Sequence, residues 1–229
     1  TCGVAGEHVS ARPSSGVVAV GGDEIAAADV GRVNEVARAI SLGRDNELLH
    51  DIPQEYVVDQ QRGISDPVGM TGTRLEVEMY LVTVQTTAAQ NLRKSVLRAG
   101  YQVAGLVLEP LAASFAVLTD DEKELGVALV EVGGGSTGVA VFHDGKIRHF
   151  ASIKYAGAQV TADLVQVLGI TQAEADQIAA GDVMEIVQTF PMEGGGAGVA
   201  SLNAMFASVV DDWKARQVSE LRRYGQVVA

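Results

Sequence analysis

Apolar positions along the chain change period several times, and each change marks an element. Val127–Val132 is a valine-rich run broken by one charge, Glu131, the pattern of a buried strand. Residues 138–142 begin a second such run. Asp144-Gly145 centres a turn into a third strand, Lys146–Ile153. Upstream, residues 16–20 read as a strand. A helix starting at Asp23 or at 27–29 places Val30, Val33, Val36, Ala37 and Ile40 at helical spacing and ends near Gly43. Residues 47–52 form a strand that Pro53-Gln54 turns and 55–59 continues. Residues 65–69 are turn chemistry, and 74–84 alternate as a half-buried strand.

Thr86 or Thr87 is expected to cap a helix over 88–99, with Leu92, Val96 and Leu97 on one face and Gly100 as its stop. Residues 102–108 read as a strand, and Glu109-Pro110 opens a helix over 111–118. The charge run 120–124 reads as a solvated link. A helix over 159–168 precedes a second one, opened by the capping box of Thr171 and Glu174 and ended by Gly181. Residues 183–189 are strand-like and 193–198 a glycine-rich loop. From Ser201 a long helix carries Leu202, Met205, Phe206, Val209, Val210, Trp213, Val218 and Leu221 as a packing stripe.

Composition narrows the classes. At 229 residues the chain is one large domain or two small ones, and 47% hydrophobic content with 26 glycines suits an aliphatic core with tight turns. No apolar run reaches the roughly 18–20 residues of a membrane span, and no signal peptide is visible. The single Cys2 excludes an internal disulfide and fits a reducing cytoplasm. A net charge of −12 without a basic patch argues against nucleic acid as a partner. Thr1 stands where a Met would begin a chain, and 224–229 stop inside a new apolar run, so the chain is expected to be a fragment.

The candidate chemistry sits between the first two strands of the hairpin. Gly133, Gly134, Gly135, Ser136 and Thr137 make a tip nearly free of Cβ atoms, where backbone N–H groups can approach an anion and two hydroxyls add donors. A glycine hairpin with no ligand fits the composition too. The spacing is neither Gly-x-Gly-x-x-Gly nor a Walker A loop. Glu131, two residues before the first loop glycine, puts a carboxylate beside the cradle, where it could hold a metal-bound water.

Three segments then line up: Glu109-Pro-Leu-Ala-Ala, Glu131-Val-Gly-Gly-Gly-Ser and Tyr155-Ala-Gly-Ala-Gln-Val-Thr-Ala-Asp. Their order resembles the actin-like ATPase superfamily, whose second phosphate loop reads roughly Asp-x-Gly-Gly-Gly-Thr. The detail is closer to the FtsA cell-division family. Leu49-His50, the stretch 52–59, Asp66-Pro-Val-Gly-Met, and Gly72-Thr-Arg-Leu-Glu resemble the subdomain inserted in that family, and 117–126 its linker into the second lobe. The resemblance implies an α/β, actin-like (ribonuclease H-like) fold, partial, carrying an inserted α+β subdomain of the SHS2 type. Residues 1–6 would end the first-lobe core and 7–84 form the insert. Residues 85–124 would return to the first lobe, 125–169 form the second-lobe core with its phosphate loop, and 170–229 begin the outer subdomain.

By position, the resemblance makes Gly133, Gly134, Gly135 and Ser136 the loop on the β- and γ-phosphates. It makes Glu109 the residue orienting the attacking water, Glu174 a nucleoside contact and Gly157 a neighbour of the nucleotide. Glu131 would touch Mg²⁺ through water. Three positions depart from the family pattern: Glu131 for Asp, Gly138 for a second acid, and Gln177 for a Lys worth roughly 1.5–3 kcal/mol as a charge-assisted contact. The first phosphate loop, the adenosine motif and the C-terminal membrane-binding helix are absent from these residues. With half a clamp, this stretch alone is not expected to hydrolyse ATP, and the complete protein would be at most a weak ATPase. The implied role is a scaffold that binds ATP and Mg²⁺ and polymerises. It would link FtsZ to the cytoplasmic membrane at the division septum and meet other divisome proteins through the insert. The other roles compatible with the fold are an assembly factor of a pilus or secretion machine, and a sugar kinase-like ATPase.

Overall fold

The computed structural model describes residues 1–39, 45–180 and 186–191. They belong to a compact unit, Thr1–Pro191; a second unit, Met192–Ala229, lies outside the described residues. So do the expected loop over 193–198, the long helix from Ser201, Ile40, and the helix ends at Gly43 and Gly181.

Strand β1 (Cys2–Val4) is followed by β2 (Val9–Ala19), helix α1 (Ala27–Ala39), β3 (Asn46–Val58), β4 (Gln61–Ile64) and β5 (Arg74–Gln85). Four of these strands form an antiparallel sheet in the order β2-β5-β3-β4. β2 begins at Val9, seven residues before the apolar run that predicts it. Its polar first half is drawn into the sheet by pairing with β5, and Pro13 is tolerated opposite Tyr80 because β2 is an edge. β3 is one strand, not two pieces joined by a turn. Pro53 and Gln54 sit at one of its two register shifts against β5, in a stretch that β4 does not pair with. The β3–β4 hairpin escapes sequence reading because Asp59 and Gln60 adopt φ of 44° and 80° without the Asn-Gly or Asp-Gly signature. Asp59 holds that turn by accepting from the Thr73 amide and hydroxyl and the Arg74 amide, which keep its carboxyl below the usual range.

α1 lies against this sheet through Val33 and Ala37, both fully buried, whereas Val36 falls off that line and is exposed. Ile25, Tyr56, Val58, Leu75, Val77, Met79 and Leu81 complete its core.

α2 (Thr86–Arg98) follows β5 directly. Neither threonine caps it; Gln85 occupies the N-cap position without a side-chain capping bond. Ala89 is its buried residue and Leu92 packs on the core, while Leu97 is 62% exposed, because the contact line runs through 89, 92 and 96. Gly100, at φ 87°, ends the helix as expected. β6 (Leu106–Leu108) is shorter than the apolar run suggests and pairs in parallel with β1.

α3 (Glu109–Val117) has its proline in the first turn. The charge run is not a loop but a helix, α4 (Asp120–Leu125). Thr119 and Glu122 form a reciprocal capping box there, and three acids favour the N-terminal end of the helix dipole.

β7 (Val127–Val132), β8 (Thr137–His143) and β9 (Lys146–Ile153) form the anticipated meander. α5 (Gly157–Leu168), α6 (Gln172–Ala180) and β10 (Ile186–Pro191) follow, giving sheet order β10-β7-β8-β9. Of the strand expected over 183–189, residues 183–185 are not described. A shared core joins the two large sheets: Val9, Tyr80, Val82 and Val84 pack with Leu129, Phe142, Ile147 and Phe150. The Phe150 amide donates to the Tyr80 hydroxyl at 2.8 Å, and the Gln54 carbonyl and side-chain oxygen accept from Lys146 and Arg148 of β9.

Candidate functional site

β7 and β8 pair through Val132 and Thr137, so residues 133–136 form the tip, closed by Gly133 N–H to the Ser136 carbonyl at 3.1 Å. A Cβ on Gly134 or Gly135 would meet nothing within 4 Å, and both glycines are exposed. Thr137 is buried, its hydroxyl donating to the Tyr155 carbonyl at 2.6 Å. That bond carries the chain back to the loop, where Gly157 N–H donates to Gly133 O at 3.0 Å and Ala158 N–H to Gly134 O at 2.7 Å. Gly157 is therefore brought to the glycine loop, but its amide is spent on a loop carbonyl. An anion at this tip would be met by the loop's own amides and Ser136.

A polar row crosses the sheet at the end of this hairpin. Glu131 opposes Gly138 and Gly138 opposes Ser152, so all three share one face. The absent side chain at 138 has a packing reason: a Cβ there would lie 2.8 Å from Pro110 Cγ and 3.9 Å from Glu131 Oε2. The longer Glu131 thus carries its carboxylate over the glycine, with Oε2 buried. The Ser152 hydroxyl is also buried, with no hydrogen-bond partner among the described residues. Sequence inspection passes over Ser152, since one hydroxyl in a strand carries no local signal.

Glu109 approaches from the other side. Its side chain lies over Gly3, where a Cβ would sit 2.6 Å from Glu109 Cγ, and Pro110 beside it is seated on Gly138. Gly6, at φ 85°, faces Ser136, whose hydroxyl lies 3.8 Å from the position of a Cβ. The glycines of β1 and its following turn are thus packed against both a candidate acid and the candidate loop. Glu109, Glu131, 133–136 and Gly157 converge.

Glu174 lies further along, at the start of α6, where its carboxylate accepts from the Thr171 amide and hydroxyl, both at 2.8 Å. These bonds, the amide first, hold its carboxyl below the usual range. The capping box is as the spacing predicts, and it engages one of the two carboxylate oxygens of Glu174. Gln177 lies one turn further along α6.

The residues fit a hydrated cation and phosphate better than a directly ligated metal. The glycine tip leaves a cradle that side chains would fill, and Glu131 and Ser152 place buried oxygens beside it. Among the described residues no group of three or more His, Cys, Asp or Glu could hold a metal ion directly.

Two family models match the chain: "SHS2 domain inserted in FTSA" over residues 6–83 and "Cell division protein FtsA" over 128–199. FtsA of Pseudomonas aeruginosa is 44% identical over 176 residues, covering 77% of this chain and 42% of that protein. The chain belongs to the FtsA family. FtsA of Escherichia coli K12 is 38% identical over 175 residues and that of Bacillus subtilis 40% over 178, covering 42% and 40% of those proteins. The chain therefore spans about two-fifths of the length of these FtsA relatives. A solved PilM-PilN type IV pilus biogenesis complex has a similar fold, with a TM-score of 0.51 at 16% identity, over 75% of this chain and 47% of that one. Together these matches establish an actin-like α/β fold with an SHS2 insert. Among the described residues no helix is long and apolar enough to cross a membrane.

Proposed function

We propose that the chain is the insert-bearing part of an actin-like cell-division scaffold that binds ATP with Mg²⁺, self-assembles and links FtsZ to the cytoplasmic membrane at the septum. The observation that carries the nucleotide part is the convergence of Glu109, Glu131 and the open glycine tip 133–136 on one corner of the fold. FtsZ, the septal location and further divisome partners at the insert are what the family resemblance implies, and the relatives' names support the cell-division role.

In this reading the amides of 134–136 and the Ser136 hydroxyl hold the terminal phosphates, and Glu131 holds a water of the cation shell. Bound Mg²⁺ supplies charge neutralisation at the phosphates. Glu109 packs over Gly3 and Pro110 on Gly138, which supports a water-orienting role for Glu109 beside Glu131. Nucleotide acts mainly as a conformational ligand, since one loop supplies only part of the positioning that phosphoryl transfer needs. The insert, 7–84, is one assembly surface. The outer subdomain begun by 170–229 bears the contact with the FtsZ tail.

The test is MgATP titration, by calorimetry, of this chain and of the full-length protein. Binding by the full-length protein, weakened by Ser136→Ala, supports the reading. Absence of binding by both forms rejects nucleotide as a ligand and leaves a scaffold only. Co-sedimentation of the full-length protein with FtsZ on anionic vesicles tests the linker role, and its failure alongside copurification with pilus proteins would favour the pilus role.

A further inference from the structure

One side chain of the insert reaches the segment that carries Glu109. Leu108 is the N-cap residue of α3, immediately before Glu109. Its amide donates 3.0 Å to Nε2 of His50, fifty-eight positions earlier in β3. We propose that His50 is a positioning residue: it holds the Leu108–Glu109 junction, so that the placement of the Glu109 carboxylate depends on the insert.

The geometry around His50 is built for this. A register shift between Leu48 and His50 sends Leu49 into the shared core and turns the next side chain toward β6, as bulges do. Leu108 pairs with Val4 on one side of β6, and His50 takes its outward amide on the other. Without that acceptor a fully buried N–H would lose its partner. Only the neutral ring with its proton on Nδ1 can accept at Nε2. Burial favours that form and lowers the pKa of His50, with Asp51 opposing in part.

The surroundings are mostly apolar: Val82 lies opposite on β5, and β6 brings Leu106, Val107 and Leu108. The charged groups are Asp51, itself paired with Arg38 of α1, Glu109 on α3, and Lys146 and Arg148 of β9 at Gln54.

The link needs no ligand; its extension, that a nucleotide at 133–136 is sensed by the insert, rests on the function proposed above. The experiment is nuclear magnetic resonance of the isotope-labelled chain as wild type, His50→Gln and His50→Leu. It follows Leu108 amide protection, corrected for intrinsic exchange, and the Glu109 carboxyl carbon shift. Gln can present an oxygen near the place of Nε2; Leu cannot. The expected result is a loss of Leu108 protection of about 2- to 10-fold and a displaced Glu109 signal in His50→Leu, both restored in His50→Gln. Lowering the pH should reproduce the loss in wild type and not in His50→Gln, which keeps the test decisive if His50→Leu does not fold. Unchanged signals in His50→Leu, or identical pH profiles for wild type and His50→Gln, overturn the proposal. Added MgATP separates the layers. If no amide in 133–136 responds in the full-length protein, labelled in the same way, the nucleotide reading fails, while the Glu109 shift still decides the link. A response that reaches 46–58 equally in His50→Leu rules His50 out as the route of sensing.

Discussion

Gly16 in one sheet and the glycine tip of the other meet opposite surroundings. In the β2-β5-β3-β4 sheet, a Cβ on Gly16 would lie 2.4 Å from the Val33 carbonyl oxygen and 2.8 Å from the Ala37 amide, so α1 rests directly on the backbone of β2. Gly72 is similarly closed, 2.5 Å from Val58 Cγ1. At the tip of the β7–β8 hairpin, Gly134 and Gly135 face open space. A glycine run is therefore evidence of access only where nothing fills the missing side chain's place. Gly138 sharpens the lesson. It belongs to the hairpin of the candidate site yet behaves like Gly16, because Pro110 occupies its space.

Substitutions can break this contrast, and the largest effect is expected at Gly16. Gly16→Ala presses on helix backbone that cannot rotate away, and should cost about 3 kcal/mol in urea unfolding, at the upper end of overpacking penalties. An unchanged midpoint would remove close packing as the reason for that glycine.

Gly138→Asp, which restores the acid expected from family resemblance, should cost about 2 kcal/mol by displacing Pro110 and with it α3. A stable variant that binds MgATP more tightly would instead make Gly138 a lost ligand position. Thr119→Ala removes half of the α4 capping box and should cost about 1 kcal/mol, readable by thermal unfolding. A null effect would return 120–124 to the solvated link its composition suggests.

The pH dependence from His50 is smaller. Its folded pKa is depressed below 6.5, so the unfolded chain binds the proton more readily. Stability from this group is complete above about pH 6.5 and declines as the pH falls through that value toward the lowered one. Unfolding of wild type and His50→Gln compared across pH 5–8 isolates it; parallel curves would remove the effect. Gly134→Ala is the mildest change, under about 0.5 kcal/mol in stability at an exposed turn. A clear loss of MgATP affinity is nevertheless expected if the tip is a phosphate cradle.

The legible parts of the molecule share one property: their cause lies within a few residues. The valine runs of β7 and β8, the Asp-Gly turn before β9, Pro110 in the first turn of α3 and the box of Thr171 and Glu174 are all local patterns. The α4 cap was local as well, at Thr119 and Glu122, but the charge run concealed it. Harder positions depend on a partner far along the chain. The start of β2 at Val9 required β5, and the continuity of β3 through Pro53 required a bulge against the same strand.

The sequence by itself determined the glycine hairpin, its acid Glu131, the β7–β8–β9 meander and membership of the FtsA family, because periodicity, turn chemistry and motif spacing are written in consecutive residues. Only the tertiary structure decided which glycines are closed and which open, that α5 spends its first amides on the loop carbonyls, and that His50 of the insert holds the residue before Glu109. Those facts are close approaches between distant segments, set by how whole elements pack rather than by the residues on either side.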